Sequence, residues 1–382
     1  MAERDTDVTD VPAHTAMDQF TAHLDRGWDL IHRGDLRGAQ LSAEKSLELD
    51  PQAPEAHNLL GYVKAAQGQA EEALELYRQA LALDDSFVEA MLNAAEVLIH
   101  PLHDFEGAIA MIEDALDFAE SPDETADALL LKYDACVHQG DKEGARRVVS
   151  SFPEGPFETA RLDFLVGRAL FECGEHAKAE RTLAHAVELE PSYGDAHYTL
   201  GLVHEALGDS KAMVGAFLRA READLALPPV AWAPSRSSFE ELVRAALARL
   251  PKPLAAVLDG AELFVAELPG AEVVVDGVDP RTSVLFDTSE RGAAHRERDR
   301  DAVPEPGRVA RIFFYQRNTE RSVEDALGLT DEVYLVLEEE LCATFPELAV
   351  HATRPAHDEH DEHDEHDAAD GEADAGDRQS DH

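Results

Sequence analysis

A mainly α fold, an α-solenoid of stacked helix pairs followed by a small α+β domain, is predicted by three observations in this 382-residue sequence. A pattern built on glycine recurs at a spacing of 34 residues, as Gly27 to Gly61 and again as Gly167 to Gly201. Prolines close two of the repeated units, Pro51 after LELD and Pro191 after VELE, because proline cannot continue a helix. Beyond residue 238 the composition turns to short strand-like runs between turn signals. A helix pair of this period cannot bury its apolar face alone, so copies must stack into an array whose concave side is a binding surface.

Taken in order, residues 1–16 are an acidic leader expected to be disordered, and about six repeats follow over 17–227. The first carries Gly27 and Ala39. In the second, Leu60-Gly61 precedes Ala73, Tyr77 and Ala80. The third fits Ala95, Ala108, Ile112 and Ala115, with one extra residue around His100-Pro101-Leu102-His103. A fourth, from Asp123 to Phe152, fits by length and helical pattern more than by motif. Val166-Gly167 with Ala179, Leu183 and Ala186 makes the fifth, and Leu200-Gly201 with Met213, Phe217 and Ala220 the sixth. The small residues stand where the two helices of a pair cross closely. A Pro-rich linker at 228–238 leads into a domain over 239–350, where Phe239 to Leu250 reads as an amphipathic helix. Strands are expected at Leu263 to Leu268, Glu272 to Val275, Ser283 to Phe286 and Val309 to Tyr315, and a second helix at Asp331 to Thr344. Residues 351–382 are a His/Asp/Glu-rich tail without core-forming content, expected to be disordered.

The residues of the 34-residue pattern resemble the tetratricopeptide repeat (TPR) family. In that family the first helix of each pair lines the groove at fixed positions, which the resemblance places at Trp28 and Ile31, then Asn58 and Tyr62. Later copies contribute Arg161, Phe164, Arg168 and Phe171, then Asp195, Tyr198 and Leu202. Aromatic and arginine side chains anchor interfaces well, through large buried area and forked hydrogen bonds. The alternative for Phe164, Phe171 and Leu202 is packing between neighbouring repeats. The Lys and Asn set with which chaperone-type TPR clamps hold a C-terminal carboxylate is not visible, so the expected partner is a protein or peptide in general.

The order FEELVRAALARLP, LFVAEL, DPRTSVLFD and RIFFYQRN-x-ER before an apolar helix resembles the small bacterial zincin-like metallopeptidases, over roughly 239–348. In that family the last helix carries H-E-x-x-H, whose two imidazoles hold zinc while the glutamate polarises the metal-bound water. Here the corresponding stretch, Glu332 to Phe345, contains no histidine. With the glutamate at Glu338 the ligand positions are Leu337 and Leu341; at Glu339, Glu338 and Cys342; at Glu340, Glu339 and Ala343. The expectation is a domain without zinc catalysis, with Glu338, Glu339 and Glu340 a solvated or helix-capping acidic patch. The alternative is a metal-dependent peptidase of unusual ligation to which the repeats recruit substrate.

Thirty-three basic against seventy-nine acidic residues give a net charge of −46, which argues against nucleic acid and anionic membrane surfaces as partners. No stretch reaches the roughly 20 apolar residues of a membrane span, and the N-terminus lacks the apolar core of a secretory signal. Cys136, Cys173 and Cys342 stand too far apart for metal-type spacing and read as reduced and buried in a cytoplasmic chain. No G-x-S-x-G elbow or phosphate loop occurs, and His295 lies in a charge-rich loop. No cofactor and no metal in the folded segments are expected. His357, His360, His363 and His366 recur every third residue in the tail, where they are either a polar spacer or weak ligands for a divalent transition metal.

Overall fold

The computed structural model describes residues 13–288 and 308–352; His295 and the four tail histidines lie outside these residues. The chain forms two units, one of residues 1–228 with 270–280, the other of 229–269 with 281–382.

Six helix pairs make up most of the first unit. They are α1 (Ala13–His32) with α2 (Leu36–Leu49), α3 (Pro54–Ala66) with α4 (Ala70–Leu83), and α5 (Val88–Ile99) with α6 (Phe105–Phe118). Then come α7 (Pro122–His138) with α8 (Lys142–Ser150), α9 (Ala160–Glu172) with α10 (His176–Leu189), and α11 (Gly194–Leu207) with α12 (Ser210–Ala226). The first helix begins at Ala13, inside the stretch expected as leader. Within five of the pairs the turn has a left-handed glycine, Gly34, Gly68, Gly140, Gly174 or Gly208, which ends the first helix. In the third pair His103 takes that conformation at φ 53°, the backbone consequence of the extra residue there. An aspartate after the turn, Asp35, Asp104, Asp141 or Asp209, accepts the backbone N–H three residues on and so caps the second helix.

Close crossing accounts for the repeated glycines. A Cβ on Gly61 would lie 2.7 Å from the Tyr77 ring, and one on Gly167 would lie 2.6 Å from Leu183. Gly201 faces Phe217 in the same way. In the first pair the side chain opposite is only Ala43, and Leu59 of the next repeat fills the space against Gly27 instead. Ala39, Ala73 and Ala179 are completely buried at the crossings. The apolar clusters run from one repeat into its neighbour: Tyr77 joins Ala94, Ala95, Ala108 and Ile112. Cys136 is buried, but Cys173 and Cys342 are only half-buried, which corrects the expectation for those two. Burial pushes all three thiols above their ordinary range.

The first unit also holds residues 270–280. Glu272 to Val275, expected as a strand, is instead a short helix α15 (Ala271–Val275). Three consecutive valines favour a strand by propensity, yet the packing decides: Val274 is fully buried against Met213 and Phe217, in a cluster flanked by Tyr198 and Leu202. Gly277, at φ 97°, turns the chain after the helix.

In the second unit, helix α13 (Arg236–Arg249) starts inside the expected linker, because Ser235 accepts the Ser238 N–H as its cap. Trp232 packs against the same core. After α14 (Lys252–Val257), β1 (Glu262–Ala266) pairs in parallel with β3 (Arg311–Tyr315), and β2 (Val284–Asp287) pairs antiparallel with the other side of β3. Ile312 and Phe314 point into the core, whereas the alternate residue Phe313 stacks on the exposed Phe264. Helix α16 (Gln316–Arg321) and helix α17 (Leu329–Thr344) follow, then a 3-10 turn at Pro346–His351. Phe239, Val243 and Ala246 of α13 meet Val333, Leu337 and Leu341 of α17 in one core with the sheet. The second unit is interrupted in sequence at 270–280, where Val274 finds its apolar partners in the repeats.

Candidate functional site

The first helices of the pairs carry the residues to which the repeat pattern assigns binding. Trp28 of α1 and Tyr62 of α3, one period apart, meet edge to face with ring centroids 5.3 Å apart, both half-buried. Asn58 is buried: its amide donates to Glu89 Oε1 at 3.0 Å, and its carbonyl accepts from the Asn93 amide at 3.0 Å. It joins the second repeat to the third, so much of its hydrogen-bonding capacity serves the stack. Phe164 of α9 is buried beside Tyr193, at a centroid distance of 5.0 Å, which is packing between repeats. The Arg168 guanidinium lies 5.7 Å from the Phe164 ring, and its Nε is 3.6 Å from Glu172. Arg161 on the same helix is exposed, near enough to Asp127 to oppose the rise that burial imposes on that carboxyl. Phe171 is half-buried against His176. Tyr198 of α11 stacks on Phe217 and donates its hydroxyl to Asp279 Oδ2 at 2.8 Å, so the chain's own 270–280 segment engages it.

Two features escaped the sequence reading. A cavity of about 450 Å³ is lined by Phe152, Pro156, Asp163, Lys178, Arg181 and His185 among others. Asp163 is completely buried, 2.6 Å from His185 Nδ1, and accepts the Phe157 N–H. Burial pushes its carboxyl up from the usual range, while the hydrogen bond and charge of His185 pull the other way. A lone aspartate in the apolar run ARLDFLV was the available signal. The second feature is a cluster of His100, Asp134 and His138, whose ligand atoms all lie within 4.8 Å of one another. His100 and Asp134 are one 34-residue period apart, and His138 is one helical turn further.

In the second unit the acidic trio on α17 is not a uniformly solvated patch, which corrects the expectation. Glu338 is buried and accepts the Tyr334 hydroxyl at 3.1 Å, because its helix position faces the core side next to Leu337 and Leu341. Glu339 is exposed. Glu340 is half-buried near the Thr344 hydroxyl, and burial raises its carboxyl. The trio therefore occupies three different environments.

Residues 24–100 and 165–226 match the tetratricopeptide repeat family model. These segments are tetratricopeptide repeats; the intervening 101–164 holds the copies whose motif is weakest. Over 88 residues, 22% of its length, the chain is 33% identical to Small glutamine-rich tetratricopeptide repeat-containing protein 2 of Saccharomyces cerevisiae. The match spans 22% of that curated relative. Among solved structures, Pseudomonas aeruginosa pilF is 16% identical, with 56% of this chain and 95% of that one covered at a TM-score of 0.45. The TPR protein YrrB is 20% identical, with 48% and 93% covered at 0.35. No described helix is long and apolar enough to cross a membrane.

Proposed function

We propose that this chain is a non-catalytic adaptor of the cytoplasm that takes a protein or peptide segment in the groove of its repeats, joined to a metallopeptidase-like domain without a zinc site. Tetratricopeptide repeats act as protein-interaction scaffolds, and the repeats occupy most of the first unit. The observation that carries the reading is the face of α9. Arg161 and Arg168 stand exposed on this helix, Arg168 with its guanidinium 5.7 Å from the packed Phe164 ring, in a chain whose net charge is −46. A guanidinium held beside an immobilised aromatic ring offers forked hydrogen bonds at low ordering cost. For the second unit, the support is the composition of α17: Leu329–Thr344 contains no imidazole, and its buried carboxylate Glu338 has Tyr334 one turn before it and Cys342 one turn after.

The test uses the full chain immobilised and a lysate of the source cells, compared with a variant carrying Arg161→Ala and Arg168→Ala. A specific bound protein should be identified with the parent, and its affinity should fall at least about tenfold in the variant, the loss of one good anchor. Equal capture by both would overturn the groove assignment. Incubation with unfolded casein, with and without a chelator, tests the second half: chelator-sensitive cleavage would replace the adaptor reading with a peptidase of unusual ligation.

A further inference from the structure

The two consecutive first helices α5 and α7 bring three ligand-type side chains to one point of the surface. His100 caps the C-terminus of α5, and Asp134 and His138 lie one turn apart on α7. His100 Nε2 is 3.0 Å from Asp134 Oδ2, and His138 Nε2 is 3.6 Å from Asp134 Oδ1. The two imidazoles stand nearly perpendicular, at 87°, with centroids 5.3 Å apart. Each of the three side chains is between a third and a half exposed, so an ion can enter from solvent and waters can complete its shell.

We propose that His100, Asp134 and His138 form a binding site for a divalent transition metal of the zinc class, which clips the third repeat to the fourth. Two ligands about 2.0–2.2 Å from a tetrahedral ion stand roughly 3.3 Å apart; the imidazole-to-carboxylate distances, each to a different Asp134 oxygen, bracket that value, and one ligand atom from each residue lies within 4.8 Å of the other two. Two imidazole nitrogens with one carboxylate suit zinc, nickel, cobalt or copper, and disfavour calcium and magnesium, which take oxygen ligands. Three protein ligands leave at least one coordination position to water. The charge of the chain raises the local concentration of any divalent cation at its surface.

The position also explains what an ion would do. The third copy carries the extra residue that places His103 at φ 53°, and residues 101–164 lie outside the family match. The first matched segment ends at His100, so a metal spanning α5 and α7 supplies a cross-link where the matched repeats give way to the unmatched stretch. An ion that binds the folded chain in preference to the unfolded one stabilises it in proportion to the logarithm of its concentration over Kd.

The tail histidines are a second set of imidazoles that a metal could meet, so the experiment silences them. In the full chain with His357, His360, His363 and His366 changed to Ala, zinc titration by calorimetry should show one site per chain. Cobalt should give visible absorption bands characteristic of nitrogen and oxygen ligation. His100→Gln and His138→Gln should each weaken zinc at least about tenfold, while His351→Gln, on the second unit, should leave it unchanged. Saturating zinc should also raise the Tm of the tail-silenced parent by more than that of His138→Gln; circular dichroism checks that each variant is folded. If a histidine variant fails to fold, Asp134→Asn takes its place, and the cobalt spectrum of the parent still reads the ligation. The proposal is overturned if the tail-silenced chain takes up no zinc at micromolar concentrations, or if His100→Gln and His138→Gln bind as tightly as the parent. An intramolecular ion pair is then all that the cluster forms.

Discussion

In the repeat unit, a residue's spatial neighbour stands at a known distance along the chain; in the C-terminal unit it does not. Trp28 finds Tyr62, and His100 finds Asp134, one 34-residue period away. Asn58 finds Asn93 after 35. In the second unit β1 pairs with β3 across the intervening β2 and the segment 270–280, with Leu263 opposite Ile312. The two units therefore hold their stability in different places. A solenoid spreads its stability over interfaces between neighbours, each replaceable, whereas the second unit depends on one core assembled from distant segments.

That contrast can be broken most forcefully at Leu337. It is completely buried at the centre of the second unit's core, and Leu337→Ala should cost about 3–4 kcal/mol. Hydrogen exchange should show lost protection through the second unit with the repeats unaffected; equal loss in both would mean that the two unfold as one. Gly201→Leu is the corresponding test in the repeats. The new side chain meets Phe217 and should cost about 2–3 kcal/mol, with faster exchange concentrated in α11 and α12 and little change in α1 to α4. Uniform loss along the solenoid would contradict the nearest-neighbour picture.

A weaker, pH-dependent effect is expected at Glu340 in the second unit. Burial raises the folded-state pKa of Glu340, so the proton-bound form is favoured in the native chain. The contribution of this group is fully present below the unfolded pKa and is lost as pH rises through the higher folded value. Ionised Glu340 therefore carries a desolvation cost at pH 7. Glu340→Gln removes that cost and should stabilise by less than about 1 kcal/mol, since the half-exposed carboxylate is partly screened by water. Melting curves of parent and variant should differ at pH 7 and converge below about pH 4. A gap that persists in acid would assign the effect to packing.

What was legible follows the same division. The helix pairs could be read because glycine and alanine are required where backbones approach, and the requirement repeats. Several groove positions were readable as positions but not as roles: Phe164 packs against Tyr193, and Asn58 serves the stack. Glu272 to Val275 misled because three valines carry strand propensity, and only the apolar partners Met213 and Phe217 make them helical. Glu338 looked solvated because its neighbours in sequence are acidic, yet it sits beside Leu337 on the buried side of α17. The His100, Asp134 and His138 cluster was readable in principle: the period that found the glycines also aligns the first two.

The segment 270–280 has a consequence for how the chain is made. The last repeat ends at Ala226, but the valine that covers Met213 and Phe217 is encoded almost fifty positions later. At synthesis rates of about 5–20 residues per second, the end of the solenoid waits roughly 2–10 s for its own final piece. During that interval the growing chain presents an unfinished apolar edge to the ribosome's surroundings. Any fragment cut at Pro228 would keep that edge permanently, so the smallest complete form of the repeat array is longer than its repeats.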